Sequence, residues 1–223
     1  MSVLIYPDSK TAGNVAATLL AASMIENPYE TIGLTYDSVL DGTFEKLSEM
    51  VRSGLFAMQQ TRLYQLCEFV PTTEQSVSIR GLLQDAFLDA AKVRDEQYVI
   101  PYAADRNWAQ ICSDFENDIL EHGGLDVILL ALRPDGSLLY NLAGSDLAPV
   151  THVEPIGTDK VVSAGMATVM RAKKLIVVAA GTDCADAAVR TLGGEISNAV
   201  PASYLQLHQN VTFILDEEAA SLL

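Results

Sequence analysis

The chain has 223 residues, 49% of them hydrophobic and only 19% charged, enough apolar surface for one large α/β domain spanning residues 1–223 and too much for long disordered tracts. Its net charge of −15 argues against a nucleic-acid partner, because phosphate backbones are gripped by clustered Lys and Arg and no such cluster occurs. The N-terminus lacks a signal-peptide pattern, and the apolar runs fall far short of the roughly 20 residues that span a bilayer, so the expectation is a cytoplasmic protein without a membrane partner.

The elements follow in order. A short strand at Val3–Tyr6 leads through Asp8-Ser9, two good helix caps, into a helix running to about Glu26 and stopped by Asn27-Pro28. Thr31–Tyr36 reads as a buried strand, and Gly42–Val51 as an amphipathic helix closed by Ser53-Gly54. Leu63–Val70 is the next strand, ended by Pro71. Val77–Lys92 has helical spacing, Tyr98–Tyr102 is a short strand, and Asp105–Glu121 is a helix ended by Gly123-Gly124. In Leu125–Leu132, six apolar residues follow Asp126, the mark of a parallel strand covered on both faces. Ala164–Ala172 reads as a short helix, Leu175–Ala180 as a second buried strand and Asp183–Leu192 as a helix. Val211–Leu215 is the last strand, with a terminal helix at Glu217–Leu223. Strands alternating with helices imply a three-layer α/β/α sandwich around a mostly parallel sheet. In such sheets ligands sit at the carboxyl ends of strands, which directs attention to the residues after Tyr36, Val70, Leu132, Ala180 and Leu215.

Three cysteines, Cys67, Cys112 and Cys184, form no CxxC pair and read as reduced thiols; no metal site or cofactor is implied. Pro134-Asp135-Gly136 reads as a turn, Arg133 as a solvated arginine, His122 as a cation at a helix C-terminus and His152 as a loop residue.

Tyr204-Leu205-Gln206-Leu207-His208, followed by Val211–Leu215, Asp216 and Glu217, resembles the LQLHxxxxxxxDE segment of the glucosamine-6-phosphate deaminase/isomerase family, which is related to 6-phosphogluconolactonase. Ser163–Thr168 resembles its TxGxGT turn, Ala180-Gly181-Thr182 its phosphate-side loop, Leu125–Asn141 its GxGxDGHIAFNEP strand and loop, and Cys67-Glu68-Phe69 its DEY segment. The resemblance covers essentially the whole chain and implies a Rossmann-like sugar-phosphate isomerase fold, a sugar or sugar-phosphate ligand and, as in relatives, the option of a homo-oligomer.

The functional positions of that family are altered. Cys67 stands for the base Asp, Ser137 for the ring-opening His, Leu142 for its acidic partner and Cys184 for the phosphate-binding Lys. The glycine loop reads Thr35-Tyr36-Asp37-Ser38-Val39, and the Arg-bearing segment near Ala148–Gly157 has no Arg. Loss of a general base alone costs about 10²–10⁴ in rate. The resemblance therefore implies a family member with a degenerate site, non-catalytic or sugar-binding. A rearranged active isomerase, deaminase or lactonase, and an acidic protein-interaction module, are the alternatives. Candidate acid/base groups are Asp135, Glu68 and His208. Pocket positions carried over by resemblance are Tyr36, Ser38, Cys67, Ser137, Asn141, Thr182 and Cys184. A site plugged by the Tyr36, Leu142 and Cys184 side chains would be the mark of a lost function.

Overall fold

The computed structural model describes residues 1–58, 60–70, 78–101 and 107–223. Seven parallel strands form the main sheet: β1 (Ser2–Tyr6), β2 (Thr31–Leu34), β3 (Arg62–Gln65), β5 (Tyr98–Val99), β6 (Val127–Ala131), β9 (Lys174–Ala179) and β10 (Val211–Asp216). Their spatial order is β1-β10-β9-β6-β2-β3-β5. A smaller antiparallel sheet, in the order β4-β8-β7, is built from β4 (Cys67–Phe69), β7 (His152–Ile156) and β8 (Asp159–Ser163). Helices flank the main sheet, as the alternation of elements implies.

Every residue of β2 and β6, and all of β9 after Lys174, is buried, which explains the unbroken apolar runs of β6 and β9. Helix α1 (Ser9–Glu26) turns Ala12, Ala16, Ala17, Leu20 and Met24 onto the core. It crosses α2 (Asp41–Arg52) at two glycines: a Cβ on Gly13 would lie 3.0 Å from the backbone of Gly42 and Thr43. This close crossing sets the N-termini of α1 and α2 side by side above the sheet.

Several expectations need correction. The segment Leu63–Val70 is two strands, not one. β3 belongs to the main sheet, whereas after Leu66 the chain joins the small sheet, with Cys67 opposite Ser163. His152 lies in β7, not in a loop. Residues 217–222 form turns rather than a helix, and Pro201–Leu207 forms a 3₁₀ helix within the family-like segment. The Val77–Lys92 helix begins as α3 (Ile79–Leu83), passes through a π turn (Gln84–Leu88) and ends in α4 (Asp89–Ala91), with Lys92 left-handed at φ 53°. Helix α5 (Trp108–Glu121) occupies the next helical segment. Val77, Tyr102 and Asp105, where parts of the expected elements fall, lie outside the described residues.

The strand order fixes where a ligand belongs. From β2 the chain crosses outward to β3; from β6 it goes the opposite way, to β9. β2 and β6 are neighbours, so the loops after them part company and leave a crevice at the carboxyl edge.

Candidate active site

That crevice is an open cavity of about 590 Å³. It is bounded by the loops after β2, β6 and β9, by the end of β10, and by the N-terminal turns of α1 and α2. It is not plugged: of Tyr36, Leu142 and Cys184, only Cys184 lines it. Ser38 lines it as well, and Lys10, Arg133 and Asp183 add charged groups.

The β2 loop begins with Thr35, whose buried hydroxyl lies 3.0 Å from the Cys67 thiol. Tyr36 then stacks on Phe44 at 6.4 Å, turning away from the cavity. Asp37 caps the short 3₁₀ turn Ser38–Leu40 by accepting from the Val39 N–H at 3.2 Å. Its other carboxylate oxygen faces the Nε of Arg133 at 3.6 Å.

Arg133 is therefore not the solvated arginine its sequence context suggested. Its guanidinium lies 4.7 Å from the centroid of the Tyr140 ring, and Phe69 packs edge-on against the same ring at 5.5 Å. Burial opposes its charge, but Tyr140 and Asp37 more than restore it. Tyr140 reaches this place because the preceding Leu139 takes the left-handed conformation, φ 55°, a strain of order 1–3 kcal/mol that buried packing maintains.

The proposed acid/base groups have fixed partners. Both oxygens of Asp135 accept from Ser137, one from its N–H at 2.9 Å and one from its hydroxyl at 2.8 Å. The Ser137 hydroxyl in turn accepts from the Ala143 N–H. With Gly136 N–H donating to Arg133 O at 2.9 Å, the segment is the turn its Pro-Asp-Gly sequence indicates. Glu68, buried in β4 against the start of α3, accepts from Gln65 Nε2, the Ser78 hydroxyl and the N–H groups of Phe69, Ile79 and Arg80. His208 accepts from the Asn210 N–H at Nδ1, which leaves Nε2 to donate to Ala172 O at 2.8 Å. None of the three lines the cavity.

Among the other pocket positions, Cys67 is sealed away and burial pushes its thiol up to about 12. Cys184 forms part of the wall, its thiol raised to about 11 chiefly by burial, with its sulfur 3.6 Å from Leu132 O. Asn141 is buried and ties its loop to Leu138 O and Ala164 O. Ser137 is fully buried; Thr182 is exposed beside the wall residues Gly181 and Asp183. Among the described residues, no group of three or more His, Cys, Asp or Glu is placed to hold a metal ion.

Lys10, Arg133 and Asp183 were not among the sequence candidates. Arg133 immediately follows Leu132 at the carboxyl edge of β6. Lys10 stands in the first turn of α1, which rises from the carboxyl end of β1 at the same edge. The TxGxGT-like turn has a packing role: a Cβ on Gly165 would lie 2.3 Å from Val150 O and 2.5 Å from Ala148 O.

No protein-family model matches the chain. It is 30% identical to a glucosamine-6-phosphate deaminase of Halothermothrix orenii across the full length of both proteins, and 28% identical to one of Streptomyces coelicolor, covering 93% of that protein. Among solved structures, it superposes on a monomeric glucosamine-6-phosphate deaminase with a TM-score of 0.93 at 24% identity, each chain fully covered. It superposes on the 6-phosphogluconolactonase of Trypanosoma brucei with a TM-score of 0.82 at 20% identity, covering all of this chain and 98% of that one. With a full-length relative at that identity and a carboxyl-edge cavity in place, this chain belongs to the glucosamine-6-phosphate deaminase family.

Proposed function

We propose that the chain is an enzyme of carbohydrate metabolism that acts on a hexosamine or related sugar in the carboxyl-edge cavity, using a rearranged set of acid–base groups. The observation carrying this reading is the open cavity at the β2/β6 switch point, lined by the carboxylates of Asp37 and Asp183 and by the cations Lys10 and Arg133, with Asp37 facing Arg133. Proton transfer between sugar carbons needs a carboxylate within hydrogen-bond reach of the substrate, with a cation to steady the developing enediolate oxygen. Asp183, exposed on the wall formed by the β9 loop, takes the carboxylate's part, and Arg133, steadied by Asp37, is the cation. Ser38 and Cys184 shape the cavity, and Lys10 holds a peripheral hydroxyl or anion.

A second reading, sugar binding without turnover, has its own support. Asp135, Glu68 and His208 are held by hydrogen bonds within the fold, and the Cys67 thiol is buried and protonated at neutral pH. Purified protein supplied with glucosamine, glucosamine 6-phosphate and a phosphogluconolactone, and followed for ammonia, ketose and acid release, separates the two. Turnover that Arg133→Ala abolishes in a folded protein supports the first. Calorimetric binding of a sugar with no turnover establishes the second, and failure to bind any of the three removes both.

A further inference from the structure

We infer that Asp37 determines the ligand class of this cavity, occupying the place where a phosphate would bind and selecting a hexosamine without a phosphate ester. The inference rests on the preceding reading of the cavity as the sugar site and asks which sugar enters it.

The crevice between β2 and β6 is where an external anion would be drawn, because a backbone amide from one loop and a guanidinium from the other converge there. The chain supplies its own anion at that point. One oxygen of Asp37 holds the Val39 N–H and the other faces Arg133, whose remaining flank is covered by the Tyr140 ring. A phosphate dianion approaching Arg133 would have to share it with a carboxylate a few ångströms away.

The neighbouring loop makes the same substitution. The Gly181 N–H, at the turn leading into the helix Ala185–Gly193, is given to Asp216, both of whose oxygens lie 3.1 Å away. Asp216 also accepts from the Ala219 N–H at 2.7 Å. Two loops that could present amides to an ester therefore present them to internal carboxylates. Around the whole cavity Asp37, Asp41, Glu45, Asp183, Asp216 and Glu218 stand against Lys10 and Arg133, a formal charge of −4. That field opposes a dianion and attracts an ammonium group. The hexosamine amine suits the Asp183 wall; its 6-hydroxyl, unlike a 6-phosphate, adds no charge beside Asp37.

Isothermal titration of the intact protein with D-glucosamine, glucosamine 6-phosphate and inorganic phosphate tests this. Expected is binding of glucosamine, with the 6-phosphate at least about tenfold weaker and phosphate not competing. Asp37→Asn keeps a capping side chain while removing the charge, and should shift the affinity ratio at least about tenfold toward the 6-phosphate. If wild-type protein binds the 6-phosphate as tightly as glucosamine, the inference falls while the sugar-site reading survives. If a folded D37N leaves the ratio unchanged, Asp37 is not the determinant. If wild-type and variant bind neither sugar, the site reading fails and takes the inference with it. The wild-type comparison decides the ligand class without requiring the variant to fold.

Discussion

Replacing Glu68 by Ala tests whether the carboxylate beside Cys67 supports the fold or the chemistry. Glu68 is buried and collects five donors that join three segments: Gln65 at the end of β3, Phe69 in β4, and Ser78, Ile79 and Arg80 at the start of α3. The Ile79 and Arg80 amides, both at 2.9 Å, are among the N–H groups that a helix start leaves without intrahelical partners. Each buried donor stranded by the substitution costs about 1–3 kcal/mol, so two of them set a loss of about 4 kcal/mol. For a chain of this size that corresponds to a fall in Tm of roughly 8–16 °C. Urea unfolding and thermal melting of the purified variant provide the measurement. Glu68→Gln should lose less, because its amide retains one acceptor for these donors. A Glu68→Ala protein as stable as wild type but without turnover would refute the reasoning and return Glu68 to the acid–base machinery.

The thiols should differ in reactivity. With Cys67 and Cys184 buried and raised to about 12 and 11 by desolvation, and Cys112 only half-buried, iodoacetamide at pH 8 should label Cys112 first, as read by peptide mass spectrometry; equally fast labelling of Cys67 would contradict its sealed position. Gly165→Ala drives a methyl group into the Ala148–Val150 backbone and should cost about 3 kcal/mol in chemical denaturation, whereas a neutral result would mean the loop can move aside. Acid stability should fall below about pH 4. Burial opposes the charges of Asp118 and Asp126, but Tyr64 and Arg62 around the first, and Lys173 and Thr31 around the second, hold both carboxyls below their ordinary values. Their stabilisation is therefore complete above the unfolded value near 3.9 and is lost as pH falls through the lower folded values. Glu30, raised mainly by burial, acts in the opposite sense, its contribution present at low pH and lost as pH rises through its folded value. Glu30→Gln should accordingly raise stability at pH 7 relative to pH 4.5, a difference that denaturation at the two pH values measures.

Much of the architecture was legible in local pattern. The unbroken runs of β6 and β9, the Asp8 cap and the Ala/Leu face of α1 carry their own physical reasons, and alternating strands and helices restrict the sheet to parallel crossovers. The family-like LQLH segment identified the relationship, although its residues perform packing: His208 ties Ala172 to Asn210, and Gln206 donates to Thr191 O and Gly194 O. Less legible was any feature set by long-range pairing. The break at Leu66 between two sheets depends on β8, nearly a hundred residues later, and no local pattern around Cys67 signals it.

The chain's own residues thus determine which strands are buried, where its helices start and that an ordinary glycine phosphate loop is absent, because each depends on neighbours close in sequence. Only the tertiary structure decides what those substitutions do. Asp37 and Arg133 lie far apart in the chain and meet because β2 and β6 are adjacent at the point where the crossovers diverge. Glu68 and Asp135, which read as candidate acids, are assigned other work by backbone N–H groups and a hydroxyl that folding brings to them. Side-chain chemistry follows from composition, but the partners that use it up or leave it available come from topology.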